Sequence, residues 1–397
     1  MIPYGRQDIT DADIAAVIEV LRSDFLTQGP AVPHFEQLVA QQVQASHAVA
    51  VSNGTAALHI ACAALRLGPG DLLWTVPNTF VASANCGLYC GAQVDFVDID
   101  ADTWNLSVPK LEEKLTRAAK ERKLPKVVVP VHFAGQPTDQ EDIWALAQKY
   151  GFKVLEDASH AIGASRNGEP VGSCRWSDIT VFSFHPVKIV TTGEGGVALT
   201  NQQDLAESMT LLRSHGITRD PARMRFAGQI TATEPSAASG PPSWYYEQQL
   251  LGYNYRMTDI HAALGGSQLT RLHDYVERRN MLARRYDEHL HDLPLQLPTV
   301  EPANRSSFHL YTVRLSPSHT QSHRAVFDEL RRRDIGVNLH YSPVHLNPYF
   351  RELGFGPGQF PEAESHGRTA ISLPLYPALT EQQQDVVISA LTKVLRG

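Results

Sequence analysis

Lys188 stands in a setting that invites chemistry. It closes Ser183-Phe184-His185-Pro186-Val187-Lys188, and Thr191-Thr192-Gly193-Glu194-Gly195-Gly196 follows. A lysine in an apolar stretch between a strand and a glycine-rich turn is desolvated. Desolvation lowers its pKa and frees the amine to act as nucleophile and base. The competing reading is a surface lysine with its stem laid along the protein. Pro186 and the glycines argue against that, because glycines let the backbone approach a flat ligand. A second candidate is Glu156-Asp157-Ala158-Ser159-His160 at the end of an apolar strand. There the Asp157 carboxylate could pair with a cationic ligand nitrogen or simply cap a helix. His160 could be a ligand-facing donor or a core histidine. The third candidate is Ser52-Asn53-Gly54-Thr55-Ala56-Ala57-Leu58, where a strand ends and a helix of small residues begins. Orphan amides and the helix dipole attract anions at such a point, and Thr55 adds a hydroxyl. An ordinary capped helix is the alternative. No GxxxxGK[ST] occurs, which disfavours a nucleoside-triphosphate loop.

The three sites fit one another. A helix N-terminus with Ser183 could hold a phosphate, Asp157 a protonated ring nitrogen, and Lys188 an aldehyde. Those are the three polar handles of pyridoxal phosphate. Phe80, in Pro77-Asn78-Thr79-Phe80, could stack on a ring or could be core.

Such groups need a frame. Between residues 48 and 200, short β-branched runs alternate with helical patterns: 47–53, 71–77, 126–132, 152–157 and 179–185 read as strands. This alternation predicts an α/β fold, a mostly parallel sheet with helices on both faces and its chemistry at strand C-terminal ends. Residues 219–247, rich in Pro, Ser, Ala and Gly, read as a long surface excursion. A helical tract over 258–292 leads into a smaller α+β domain with strands at 308–315 and 337–343 and helices at 323–336 and near the end. The expected division is 1–265, a large cofactor-binding domain, and 266–397, a small C-terminal domain.

Composition narrows the class. The chain has 397 residues, 43% hydrophobic and 19% charged, as in a globular enzyme. Lys+Arg 35 against Asp+Glu 42 leaves a net charge of −7, unsuited to general nucleic-acid binding. The first ten residues carry no signal-peptide core, and apolar runs break well before 18 residues, so no membrane span is expected. Cys62, Cys86, Cys90 and Cys174 form no CxxC pair and read as free thiols of a reducing cytoplasm, with no metal site.

Five motifs in order, SNGTAAL, EDASHAIGA, VFSFHPVK…TTGEGG, RSHG and GYNYRMTDIHAALG, make the chain resemble the DegT/DnrJ/EryC1/StrS sugar aminotransferases, fold-type I pyridoxal phosphate enzymes. The resemblance runs over nearly the whole chain. It implies that Lys188 joins the cofactor and then shuttles a proton, and that Asp157 partners the ring nitrogen. It places His160 near the ring oxygen, Gly54, Thr55 and Ser183 on the phosphate, and Phe80 on the ring face. Asn254 would reach the phosphate of the other subunit, which implies a homodimer with two shared sites. L-glutamate is the implied donor. Within the group, IPYGRQDIT…SDFLTQGP and FSFHPVKIVTTGEGG look most like the branch serving pseudaminic acid biosynthesis, which aminates a UDP-linked 4-keto-6-deoxy-N-acetyl sugar. For the sugar nucleotide, Gln28, Arg256, His340 and Tyr341 are plausible donors, each of which could instead be structural. The 219–247 excursion looks longer than is usual for the group.

The rivals are an aminotransferase for a GDP-perosamine or dTDP-amino sugar, a sugar dehydratase, a cofactor-binding regulator and a cysteine desulfurase. Lyases of the group tend to carry His in place of the lysine. No basic helix-turn-helix is evident, and no cysteine sits on an exposed loop by sequence.

Overall fold

The computed structural model describes residues 1–226, 241–317 and 320–396. Seven strands form the main sheet: β1 (His47–Val51), β2 (Leu72–Thr75), β3 (Gln93–Phe96), β4 (Val127–Val129), β5 (Lys153–Asp157), β6 (Ile179–Ser183) and β7 (Gly196–Thr200). Their order is β1-β7-β6-β5-β4-β2-β3. Strands β2 to β6 pair in parallel, and β7 runs antiparallel between β6 and β1. β4 and β7 are buried at every position. Burial on both faces is why VVV and GVALT read as unbroken apolar runs. The sequence reading treated 179–185 as the last core strand. β7 is a further one, hidden because TTGEGG directly before it reads as a turn.

Helices cover both faces. Leu73, Phe96 and Leu155 share one core with Leu58 of the helix Gly54–Ala64 and with Ala84 and Cys86 of the helix Ala82–Tyr89. Phe35, Phe182, Phe184 and Val276 pack on the other side. Each fully buried large apolar side chain contributes about 1.5–3 kcal/mol, so the sheet is held flat-on from two directions. The helices Asp11–Leu21 and Ala31–Val43 add to the large domain, and the sequence reading had assigned neither.

The small domain is a three-stranded antiparallel sheet of Leu295–Gln296, Tyr311–Leu315 and Ala370–Leu373, backed by the helices His323–Arg332 and Glu381–Arg396. Residues 337–343, expected as a strand, make only one bridge, Asn338 to Ser372. Past Asn338 this backbone turns toward the large domain, where the Tyr341 amide donates to Asn78 Oδ1 at 3.2 Å. The tract 258–292 is two helices, Asp259–Leu269 and Leu272–Leu290. The second one straddles both cores. Leu272, Tyr275 and Val276 enter the large core, while Leu282, Ala283, Tyr286 and Leu290 enter the small one. The change of core therefore falls near Arg279 rather than at 265/266. Ile2 also packs on the small core, and its amide donates to the Asp334 carbonyl.

The excursion begins and ends on a short antiparallel pair, Ile217–Thr218 with Glu247–Gln248. Residues 227–240 of it lie outside the described residues. The four cysteines are free, and Cys62, Cys86 and Cys174 are buried. Among the described residues no helix is long and apolar enough to cross a membrane.

Candidate active site

A cavity of 810 Å³ opens at the C-terminal ends of β1, β5 and β6. This is where an open α/β sheet splays its loops and binds ligands. Gly54, Thr55, Phe80, Asp157, His160, Ser183, Lys188, His340 and Tyr341 all border it.

The helix Gly54–Ala64 starts at its edge. Asn53 caps it, with Oδ1 accepting from the Ala56 amide at 2.8 Å. The Ala57 amide bonds the Asn53 carbonyl. The Gly54 and Thr55 amides lie in the first turn, where helix geometry provides no carbonyl. A Cβ on Gly54 would sit 3.0 Å from Ser183 Cβ, and one on Gly196 would sit 2.5 Å from the Asn53 carbonyl oxygen. Glycine at both positions lets the helix start, the end of β6 and the start of β7 close on one another.

Asp157 is the last residue of β5 and is 5% exposed. Its Oδ2 accepts from Ser83 Oγ at 2.6 Å and its Oδ1 from the Ser159 amide at 3.1 Å. Ser83 lies on the helix Ala82–Tyr89, 74 residues away in the chain, and nothing in VASANC marked it. Glu156, the neighbour of Asp157 in β5, accepts from Gln140 and Thr180, both at 2.6 Å, and lies 3.5 Å from His132.

Lys188 sits in the connection between β6 and β7. That connection is pinned by Phe184 N–H to the Gly195 carbonyl, Thr192 N–H to the Phe184 carbonyl, and Lys188 N–H to the His185 carbonyl. Desolvation in the cavity pushes the Lys188 amine down to about 8, against the opposing pull of the Asp157 charge. Well below an ordinary lysine, the amine is deprotonated far more often, as a nucleophile or base requires.

His160 Nδ1 accepts from the Ala134 amide at 3.3 Å, which leaves the proton on Nε2, 3.0 Å from the Tyr341 hydroxyl. Burial drives the His160 pKa well down, and the charges of Lys188 and His340 add to this, so the ring is neutral. Burial raises the Tyr341 hydroxyl, as does the Asp157 charge. His340 Nδ1 contacts Ser372 Oγ at 2.8 Å, and burial pushes its ring down to about 3. Phe80 is 58% exposed and stands at the rim.

Three expected site residues lie elsewhere. Gln28 is exposed on the N-terminal segment, Asn254 is exposed beside its bridge to Ser214, and Arg256 donates to Ser214 Oγ at 2.9 Å. None of the three borders this cavity. Gln28 and Arg256, expected among the sugar-nucleotide donors, are thus not brought there by their own chain's fold. The backbone at 254–256 is bridged to Ser214 and Val51, and of its three residues only Tyr255 borders the cavity. Tyr4, His59, Ser83 and His309 were missed. All but Ser83 border the cavity, and Ser83 acts on Asp157 from behind.

A desolvated lysine, an anchored carboxylate and an open helix N-terminus at the strand ends of this sheet define a fold-type I pyridoxal phosphate enzyme. The profile of the DegT/DnrJ/EryC1/StrS aminotransferase family matches residues 7–392, and the chain belongs to that family; it is a pyridoxal-phosphate-dependent sugar aminotransferase. It is 37% identical over 403 residues to the spore coat polysaccharide biosynthesis protein SpsC of Bacillus subtilis, covering 100% of this chain and 97% of that one. Spr1654 of Streptococcus pneumoniae, solved in its PMP form, superposes with a TM-score of 0.88 at 29% identity, over 100% of this chain and 99% of that one. Helicobacter pylori PseC, an aminotransferase of pseudaminic acid biosynthesis, does so with a TM-score of 0.87 at 27% identity, again over 100% and 99%.

Proposed function

We propose that this chain moves the amino group of L-glutamate to the C4 keto carbon of a UDP-linked 4-keto-6-deoxy-N-acetyl sugar. The product is UDP-4-amino-4,6-dideoxy-N-acetyl-β-L-altrosamine, for pseudaminic acid biosynthesis. The observation that carries this reading is the meeting of Lys188, Asp157 and the helix start at Gly54 in one cavity, in a chain whose fold matches that of PseC. Free thiols suit a cytoplasmic enzyme.

The residues fit the cofactor. The Gly54 and Thr55 amides, with the Thr55 and Ser183 hydroxyls, would hold its phosphate. Asp157, with both oxygens already anchored, would hold the protonated ring nitrogen. Lys188 would join the aldehyde, Phe80 would lie on the ring face, and His160 would lie near the ring oxygen. When bound, pyridoxal phosphate supplies an electron sink for the carbon that loses its proton.

The rest is the work of this chain. Lys188 takes the α-proton of glutamate and later gives a proton to C4 of the sugar, so one base serves both half-reactions. Asp157 keeps the ring nitrogen charged throughout. The neutral His160–Tyr341 pair closes one wall and keeps water from the reacting carbon. Kinetics are ping-pong. Asn254, Arg256 and Gln28 face outward and would serve the site of the second subunit in a homodimer. There the Arg256 guanidinium suits a diphosphate.

A second reading is the same transfer to another nucleotide sugar. It is supported by the 37% identity to SpsC, a spore coat polysaccharide biosynthesis protein. A panel of UDP-, GDP- and dTDP-keto sugars with glutamate, its products read by mass spectrometry, tests both. The first reading expects amine on the UDP-4-keto-6-deoxy-N-acetyl sugar. Amine on a GDP- or dTDP-sugar alone would replace it with the second.

A further inference from the structure

Five imidazoles border the cavity: His59, His160, His185, His309 and His340. Four have ring nitrogens committed within the protein. His59 Nδ1 contacts the Tyr255 hydroxyl at 3.1 Å, and His185 Nδ1 accepts from the Val187 amide at 3.5 Å. His160 bonds Ala134 and Tyr341, and His340 bonds Ser372. His309 differs. It is 4% exposed, its ring lies 4.5 Å from that of His160, and among the described residues neither ring nitrogen has a hydrogen bond; Nδ1 is fully enclosed, which leaves Nε2 as the open one. Its backbone is held hard: the buried Arg279 donates to the Phe308, His309 and Leu375 carbonyls. Native structures leave few buried polar groups unpaired. On a rigidly held ring beside a ligand cavity, the open Nε2 is the atom that can meet a ligand.

The charge inventory says which ligand. Among the described residues of one chain no arginine borders the cavity, and its one lysine is Lys188, which the chemistry uses; the Arg256 guanidinium that a second subunit would bring is given above to the diphosphate. Yet the cavity must first take a dicarboxylate and then a sugar with uncharged hydroxyls. A fixed guanidinium would be left buried and unpaired in the second half. A neutral N–H serves both, since it donates to carboxylate or hydroxyl alike. An N–H facing no acceptor costs more than an idle lone pair, so the proton belongs on Nε2 and not on the shut-in Nδ1.

We infer that His309 donates a hydrogen bond from its neutral imidazole to a carboxylate of the amino donor. The inference rests on the glutamate reading above. Burial, with the Lys188 charge as the next contribution, holds the ring uncharged.

The test uses the cofactor-loaded enzyme and glutarate, which has the two carboxylates of glutamate but no amine. Glutarate affinity is measured by calorimetry for wild type, His309→Phe and His309→Gln, with UDP affinity alongside. The expected result is about a tenfold or greater loss for His309→Phe, as for a lost hydrogen bond to a charged group. Partial recovery is expected for His309→Gln, which keeps an N–H, with UDP binding unchanged in both. If the Phe variant does not fold, ¹⁵N-histidine-labelled wild type provides the second readout: glutarate must move the His309 ring resonance. Undiminished glutarate binding by His309→Phe, a ring resonance that does not move, or loss of glutarate binding by Arg256→Ala alone would overturn the assignment. Release of 2-oxoglutarate from glutamate by wild type separates the two failures. Without it both the glutamate reading and this inference fall; with it, unchanged glutarate binding in the variants removes only His309.

Discussion

On the floor of the cavity, two polar side chains of the large domain are tied to protein. Asp157 is anchored by Ser83 and Ser159, and Asn53 caps its own helix. On the wall that the small domain contributes, the His309 ring makes no hydrogen bond among the described residues, and its Nε2 is left open. The two regions face different ligands. The floor meets one cofactor that never changes, so its donors and acceptors can be fixed in advance, which is what preorganisation requires. The wall meets two substrates of unlike charge in turn, and an uncommitted neutral N–H can serve both. The contrast separates residues that hold the cofactor from residues that choose the substrates.

The sharpest way to break the contrast is to remove the floor's reactive group. Lys188→Ala should fold with an unchanged melting temperature and lose about 10⁴-fold or more of its glutamate-dependent 2-oxoglutarate release. Next comes the joint between the regions. Gly135 has φ 99°, and a Cβ there would sit 2.6 Å from Ser307 Oγ and 2.9 Å from the Phe308 amide nitrogen. Gly135→Ala should cost about 3 kcal/mol in urea unfolding and displace the wall segment that carries His309. Ser83→Ala removes one of the two anchors of Asp157. It should lower turnover by about tenfold, since hydrogen bonds to charged groups contribute roughly 1.5–3 kcal/mol, while thermal stability barely moves. The smallest effect is a pH shift. Because desolvation lowers the Lys188 amine to about 8, its neutral form dominates above that pH and is lost below it. Uptake of pyridoxal phosphate by the cofactor-free protein should therefore rise with pH through about 8 and then level. A midpoint near 10 would mean a solvated lysine.

The floor was largely legible in the sequence and the wall only at His340 and Tyr341, for a physical reason. Asp157 and Ser183 end parallel strands, Gly54 follows the end of β1 and Lys188 lies in the connection after β6, so short local motifs carry both their chemistry and their position. Ser83 carries no such mark, because its role exists only through a contact across 74 residues. His309 sits in SSFHLY and read as the start of a strand; its isolation depends on Arg279 and on packing from both domains. β7 was hidden behind TTGEGG, and 337–343 read as a strand because Val, Leu and Tyr alternate there, although that backbone leaves its sheet to reach Asn78. Gln28 and Arg256 have the right chemistry for a sugar nucleotide, but the fold of one chain turns them away from its own cavity.

Every role given to the floor depends on which amine carries the vitamin. Borohydride reduction of the loaded enzyme, digestion and mass mapping read this directly. The account predicts a single pyridoxyl label on the peptide that contains Lys188. A label on another lysine, or none, would contradict it.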